Sequence, residues 1–212
     1  ADVEASLVAC QGSDRKSRRN SQDRPPLQDC LTRLTQRLVE AGMLAHTGLP
    51  GKRLALGEAL VLLDVHHKDT VERLLEDGVD SVSSFTWEAQ LRFLWSTGDA
   101  DADESAQQAS LSLKCLRNSH AYGYELLGET SRCVITPLTE RSYAALLAAQ
   151  SANLGTCLIG PVGSGKTELS RELALSAGRL FIVFGYSETK DCQAISRILR
   201  GIAASGAWGL VE

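Results

Sequence analysis

Eight consecutive residues, Gly160-Pro161-Val162-Gly163-Ser164-Gly165-Lys166-Thr167, satisfy the pattern GxxxxGK[ST] in full. The residue types state the chemistry. Glycines let a backbone curl until its N–H groups converge on a phosphate, where side chains would block the approach. Lys166 supplies a charge for β- and γ-phosphates, and the Thr167 hydroxyl is a ligand for Mg²⁺. The apolar run Cys157-Leu158-Ile159 leads in and a helix-forming run from Glu168 to Leu175 leads out. The segment therefore reads as strand, P-loop and helix, with the positive helix end aimed at the anion. A chance glycine-rich turn, or a loop that has kept its shape and lost its nucleotide, are the bland alternatives. Gly163 and Gly165 also begin a GxG, but Glu168 stands where the third glycine of a dinucleotide fingerprint belongs.

Binding alone is not hydrolysis. A P-loop ATPase also needs an acidic strand end near Mg²⁺ and a residue that orients water. The last apolar run, Ala207 to Glu212, is expected to be that strand, and the residues for turnover are expected to lie outside these 212.

Several elements must position this loop. From Leu31 the pattern is helical, with Leu31, Leu34 and Leu38 on one face and Gly42 as a stop. Residues 47–52 read as a turn through Pro50-Gly51. A second helical stretch covers about 54–77, with Leu60, Leu63, Val71, Leu74 and Leu75 as core candidates. A third is expected near Phe85, because Trp87, Leu91, Leu94 and Trp95 fall at i, i+4, i+7 and i+8. After about residue 120 short apolar runs alternate with helical patterns: 132–135, 138–150, 157–159, 168–177 and 180–184. That alternation predicts a parallel sheet with crossover helices. Thr136-Pro137 fits an N-cap followed by proline at the first helical position.

Other chemistries fall away. Asp99, Asp101 and Asp103 open like a calcium loop, yet Glu104 replaces the required Gly and Ser110 the bidentate Glu. Adjacent His66 and His67 diverge on a helix and lack further ligands at metal spacing. Six cysteines, none within four residues of another, exclude CxxC patterns and suggest reduced thiols in the cytoplasm. A net charge of -4 and a pI near 5.6 give no reason to expect nucleic acid. With a mean hydropathy of -0.09, no run reaches the length of a membrane span. No basic segment followed by an apolar core suggests a signal peptide, and the missing initiator Met suggests a fragment. Residues 13–26, with five Arg or Lys among Ser, Asn and Pro, read as a solvated, disordered basic lead-in.

From about residue 54 the chain resembles a dynein heavy chain. Asp64-Val65-His66-His67-Lys68-Asp69-Thr70-Val71 resembles that family's DVHARDVV, and Phe85 to Trp95 resembles FxWxxQLRxYW. Tyr122 to Gly128 resembles YGYEYLG, Val134 to Arg141 resembles VITPLTDR, and Gly160 to Glu168 is close to GPAGTGKTE. Ser205-Gly206-Ala207-Trp208-Gly209 matches SGAWG. The resemblance implies an α/β P-loop NTPase (AAA+) fragment with a parallel sheet, preceded by an α-helical linker segment. Its expected divisions are a disordered lead-in at 1–30, a helical linker region at 31–119 and a truncated ATP-binding module at 120–212.

By the same resemblance, Gly160 to Glu168 would hold the nucleotide, and Val134, Ile135 and Thr136 would lie on the adenine side. ATP and Mg²⁺ are the implied cofactors, with Thr167 on the metal. The implied parent is an ATP-driven, minus-end-directed microtubule motor. Its partners would be microtubules and dynein intermediate and light chains, with neither nucleic acid nor membrane among them. Its place would be the cytoplasm and cytoskeleton, including the ciliary axoneme. Two departures open an alternative. The family continues SGAWG with CFDEFNR, whereas Glu212 stands here at the Mg²⁺-binding Asp and the catalytic Glu is absent. Residues 185–191 also diverge from the family's NCSDQMD. A weakly active or inactive dynein-like scaffold, binding nucleotide structurally or not at all, is that alternative. An unrelated P-loop kinase or ATPase is the third reading.

Overall fold

The computed structural model of the chain describes residues 4, 5, 7 and 8, then 25–46, 51–96, 110–128, 132–185 and 192–212. Most of the basic lead-in, the start of the 47–52 turn, the acidic loop at 97–109 and residues 186–191 lie outside these. Two compact units emerge, Ala1–Gln90 with Glu129–Pro137, and Leu91–Gly128 with Leu138–Glu212. The division after Gln90 differs from the expected one after residue 119.

The first unit is built on two long helices, α1 (Pro25–His46) and α2 (Gly51–Glu76), followed by one turn of helix, α3 (Phe85–Glu88). The apolar spacing of α1 places Leu27, Cys30 and Leu34 on one buried stripe. They pack with Val71, Leu74, Val79 and Trp87, and Leu7 is buried in the same core. Part of the segment read as a disordered lead-in is therefore structured, because Leu7 is fully enclosed and Pro25–Cys30 opens α1. Burying one such leucine is worth about 1.5–3 kcal/mol. Leu60, expected in the core, is half-exposed, since only the C-terminal half of α2 carries the buried stripe. A polar link joins the same helices: Arg37 Nη2 donates to Asp64 Oδ1 at 3.0 Å, and His67 Nδ1 lies 3.8 Å from that oxygen.

The second unit begins with an antiparallel sheet in the order β1 (Arg92–Ser96), β2 (Ser110–Cys115) and β3 (Asn118–Ala121). This corrects the expected helix through Trp95 and the helical reading of the region up to 119. Phe93 pairs with Leu113 and Trp95 with Leu111, while Leu113 also pairs with His120. The four-residue spacing mimicked a helical stripe, but the stripe divides: Trp87 is buried in the first unit and Trp95 is exposed on a strand. Aromatic residues suit a half-buried strand, and the partner strand is too distant in sequence for local periodicity to register.

Next come α4 (Pro137–Ser151), α5 (Lys166–Ser176), β4 (Phe181–Phe184), α6 (Cys192–Ser205) and β5 (Trp208–Val211). Pro137 is the first residue of α4, as the Thr136-Pro137 signal predicted. β4 and β5 pair in parallel through the α6 crossover, with Phe181 opposite Trp208 and Phe184 opposite Val211. Tyr143 and Leu147 of α4, Leu173 of α5 and Cys115 of β2 form the buried core, against which Leu91, Leu169 and Trp208 pack. His120 Nε2 sits 3.1 Å from the Leu147 carbonyl and 3.0 Å from Ser151 Oγ, tying β3 to the end of α4.

Two expected strands are not found. Residues 132–135 and Cys157-Leu158-Ile159 are irregular, and Ile159 is 93% exposed. An apolar run becomes a strand only when a neighbour takes up its N–H and C=O groups. Among the described residues the parallel strands β4 and β5 pair with each other and not with this run.

Candidate nucleotide site

The site begins with backbone conformation. Gly163 and Gly165 both have φ of +79°, in the left-handed region that L side chains rarely adopt. Gly165 is the residue capping α5, and its carbonyl accepts from Leu169 N at 2.8 Å. The chain thus turns sharply from the loop into the helix, leaving first-turn N–H groups and the positive end of the helix dipole at the loop. Pro161, Val162 and Ser164 are exposed around this turn. A Cβ on Gly160 would come within 3.2 Å of Ser164 Oγ, so the loop closes tightly at its first residue as well.

Lys166 folds back over the loop. Its Nζ donates to the carbonyls of Gly160 at 3.0 Å and Pro161 at 2.8 Å, and lies 3.3 Å from Ser164 Oγ. Thr167 Oγ1 donates to Glu212 Oε1 at 2.5 Å, across 45 residues of sequence. Glu212 reaches that point because its own N–H donates to the Phe184 carbonyl at 3.1 Å, continuing the β4–β5 ladder by one residue. Glu168 is engaged outside the loop, by an ion pair with Arg171 one helical turn on. The eight loop residues and Glu212 are therefore brought together. Val134, Ile135 and Thr136 belong to the other compact unit, on the irregular segment before α4, with Val134 63% exposed.

These groups suit a phosphate with a hard cation. The loop offers backbone N–H groups and one ammonium, and Thr167 with Glu212 offers a hydroxyl and a carboxylate, the oxygen ligands that Mg²⁺ prefers. The glycines at φ +79° are the cradle that side chains would fill. Among the described residues no cluster of three His, Cys, Asp or Glu side chains forms a separate metal site.

Spacing rules did not find the far end of α5. There the chain turns out of the helix: Arg179 N donates to Ala174 O and Gly178 N to Leu175 O, at 3.0 Å each. The next carbonyls, of Ala177 and Gly178, accept from Gly123 N and Glu125 N, at 2.9 Å each. The Tyr122 and Tyr124 rings meet edge-on with centroids 5.0 Å apart, and Tyr124 Oη accepts from Leu111 N at 2.8 Å. The helix that starts at the loop is thus clasped at its other end by the segment leaving β3. A glycine between two tyrosines was the visible signal.

Residues 122–212 match the family described as the hydrolytic ATP binding site of the dynein motor region. The loop and its helix thus sit inside an ATP-binding module of the dynein motor type. Over 162 residues, 76% of this chain, the sequence is 38% identical to dynein axonemal heavy chain 3 of Homo sapiens. It is 38% identical to the human axonemal heavy chain 6 over 173 residues, 82% of this chain, and 40% identical to the mouse axonemal heavy chain 2 over 154 residues, 73% of it. The chain belongs to the dynein heavy chain family. It spans 4% of the length of the first two relatives and 3% of the third.

Proposed function

We propose that this chain is the ATP-binding part of an axonemal-type dynein heavy chain, an ATP-driven, minus-end-directed motor acting on microtubules in the cilium. In this reading residues 120–212 form the opening portion of an AAA+ module, and residues 31–119 the end of the linker before it. Gly160 to Thr167 act as the P-loop, with Lys166 on the β- and γ-phosphates of ATP and Glu168 flanking them. Thr167, with Glu212 beside it, would hold Mg²⁺, which supplies charge for the phosphates. Val134, Ile135 and Thr136 lie on the adenine side. Microtubules and the intermediate and light chains are met by parts of the motor beyond these residues. Among the described residues no helix is long and apolar enough to cross a membrane.

One observation carries the proposal: the Thr167–Glu212 bond joins the end of β5 to the helix end beside Lys166. A hydroxyl and a carboxylate 45 residues apart in sequence meet beside the loop, and together they would hold Mg²⁺, which supplies charge for the phosphates. The test is ATP–Mg²⁺ binding by the full natural polypeptide. Lys166→Ala is expected to weaken affinity roughly tenfold or more. Equal affinity of both proteins would sink the reading.

A second reading, the nucleotide-binding or empty scaffold, draws on two features. Lys166 already finds three oxygens within its own loop, and the acid is a Glu, whose extra methylene moves the carboxylate relative to an Asp. Tight ATP binding without phosphate release in a single-turnover assay supports this reading over the motor.

A further inference from the structure

The Arg179 side chain runs through a slot between two glycines. A Cβ on Gly123 would stand 2.5 Å from Arg179 Cδ and 2.8 Å from its Nε, as well as 2.4 Å from the Gly178 carbonyl oxygen. A Cβ on Gly206 would stand 3.3 Å from Arg179 Nη1. A side chain at Gly123 would meet both the Gly178 carbonyl and the arginine stem, and one at Gly206 would crowd the guanidinium by a few tenths of an ångström. Gly206 has φ of +69° besides, which favours glycine at that turn. Among the described residues no carboxylate forms an ion pair with this guanidinium.

What lies on either side of it bears on the site. One wall, Gly123, belongs to the clasp on the far end of α5; the other, Gly206, is the turn that admits β5. Arg179 immediately precedes Leu180, whose carbonyl accepts from Trp208 N at 2.8 Å in the first link of the β4–β5 ladder. The last link is Glu212 N to Phe184 O. A parallel pair of four residues holds its register weakly by backbone bonds alone, and a slip of one residue would turn the acid to the opposite face.

We propose that Arg179 is a positioning residue: wedged between Gly123 and Gly206, it sets the register of β5 and so seats Glu212 against Thr167. Its consequence for Mg²⁺ rests on the nucleotide reading above; the placement of Glu212 does not.

The test uses the full natural polypeptide in two arms. In the first, thiols introduced by Thr167→Cys and Glu212→Cys are bridged with a short bifunctional thiol reagent, and the yield of that pair is read by peptide mass spectrometry. Arg179→Ala is expected to lower the yield about threefold or more, while Arg179→Lys, which keeps the stem, preserves it. Should Arg179→Ala lose its cooperative thermal transition, Arg179→Leu, too short for the slot, replaces it with the same expected fall. Unchanged yield in the shortened variant overturns the proposal. In the second arm, with Thr167 and Glu212 native, ATP affinity is measured with and without Mg²⁺. Arg179→Ala is expected to shrink the Mg²⁺-dependent gain about threefold or more and leave the metal-free affinity within about twofold. An equal loss in both conditions also overturns it. A polypeptide that binds no ATP defeats the nucleotide reading instead, and the bridging yield still decides the role of Arg179.

Discussion

Lys166 and His67 show how one side chain's surroundings set what it does. Lys166 is held by three oxygens of its own loop, so a phosphate arriving there must outbid acceptors already in place. A phosphate would offer the ammonium an ion pair in exchange for bonds to uncharged oxygens, which favours the exchange. His67 is governed by the opposite balance. Its side chain is half-exposed, and partial desolvation lowers its pKa below the ordinary histidine value, while the nearby Asp64 pulls it back up and Arg37 lowers it again. The neutral ring is therefore favoured in the folded chain. The stability this contributes is present above the unfolded histidine pKa of about 6.5 and is lost as pH falls below it. Thermal melts of His67→Gln between pH 7 and pH 5 are expected to show a smaller acid-side drop than the parent. An identical pH profile would mean that His67 does not carry that linkage.

At the scale of elements, the division of the tryptophan stripe makes opposite forecasts for similar residues. Trp87 is 7% exposed inside the first core, and Trp87→Ala is expected to cost about 3–5 kcal/mol in chemical denaturation. Trp95 is 61% exposed on β1, and Trp95→Ala should cost less than about 1 kcal/mol. Equal costs would restore the single helical stripe that the spacing suggested. Leu147, fully buried on α4 against Leu173 and Cys115, is the corresponding anchor of the second core. Leu147→Ala is expected to cost about 2–5 kcal/mol, with the residual cavity setting where in that range it falls. Cys115 in the same core has its thiol pKa raised by burial, against a smaller opposing pull from Arg92. Slow alkylation of Cys115 in the native protein, with fast reaction after denaturation, is the matching check.

Across the whole molecule, the contact that matters most spans α5 and β5. Thr167 and Glu212 touch, so on the proposed nucleotide reading their effects on Mg²⁺-dependent ATP affinity should not add. In a double-mutant cycle, Thr167→Val and Glu212→Gln are each expected to remove most of the Mg²⁺-dependent gain, and the pair together little more than either. Strict additivity would place the metal elsewhere. The clasp at Tyr122–Glu125 explains why the second unit begins at Leu91: the three-stranded sheet and α5 share backbone hydrogen bonds. The chain spans 4% of the length of the human axonemal heavy chain 3 that it matches, so motility and turnover are tested on the full polypeptide.

Local chemistry was legible in the sequence. The glycine-rich turn, the helix that follows it, the Pro137 helix start and the strands at 180–184 and 207–212 follow from residue types and short spacings, because turns, caps and short apolar runs are made by neighbours, whereas the helix Cys192–Ser205 between those strands was not read. Tertiary structure decided the rest. The strand at Arg92–Ser96 needed a partner reaching it across a long connection, and Cys157–Ile159, apolar but paired with no strand among the described residues, stayed irregular. The meeting of Glu212 with Thr167 depended on β-sheet register, and the passage of Arg179 between Gly123 and Gly206 on three segments closing at once. Periodicity reports which face of an element is apolar; only the assembled chain determines what that face finds.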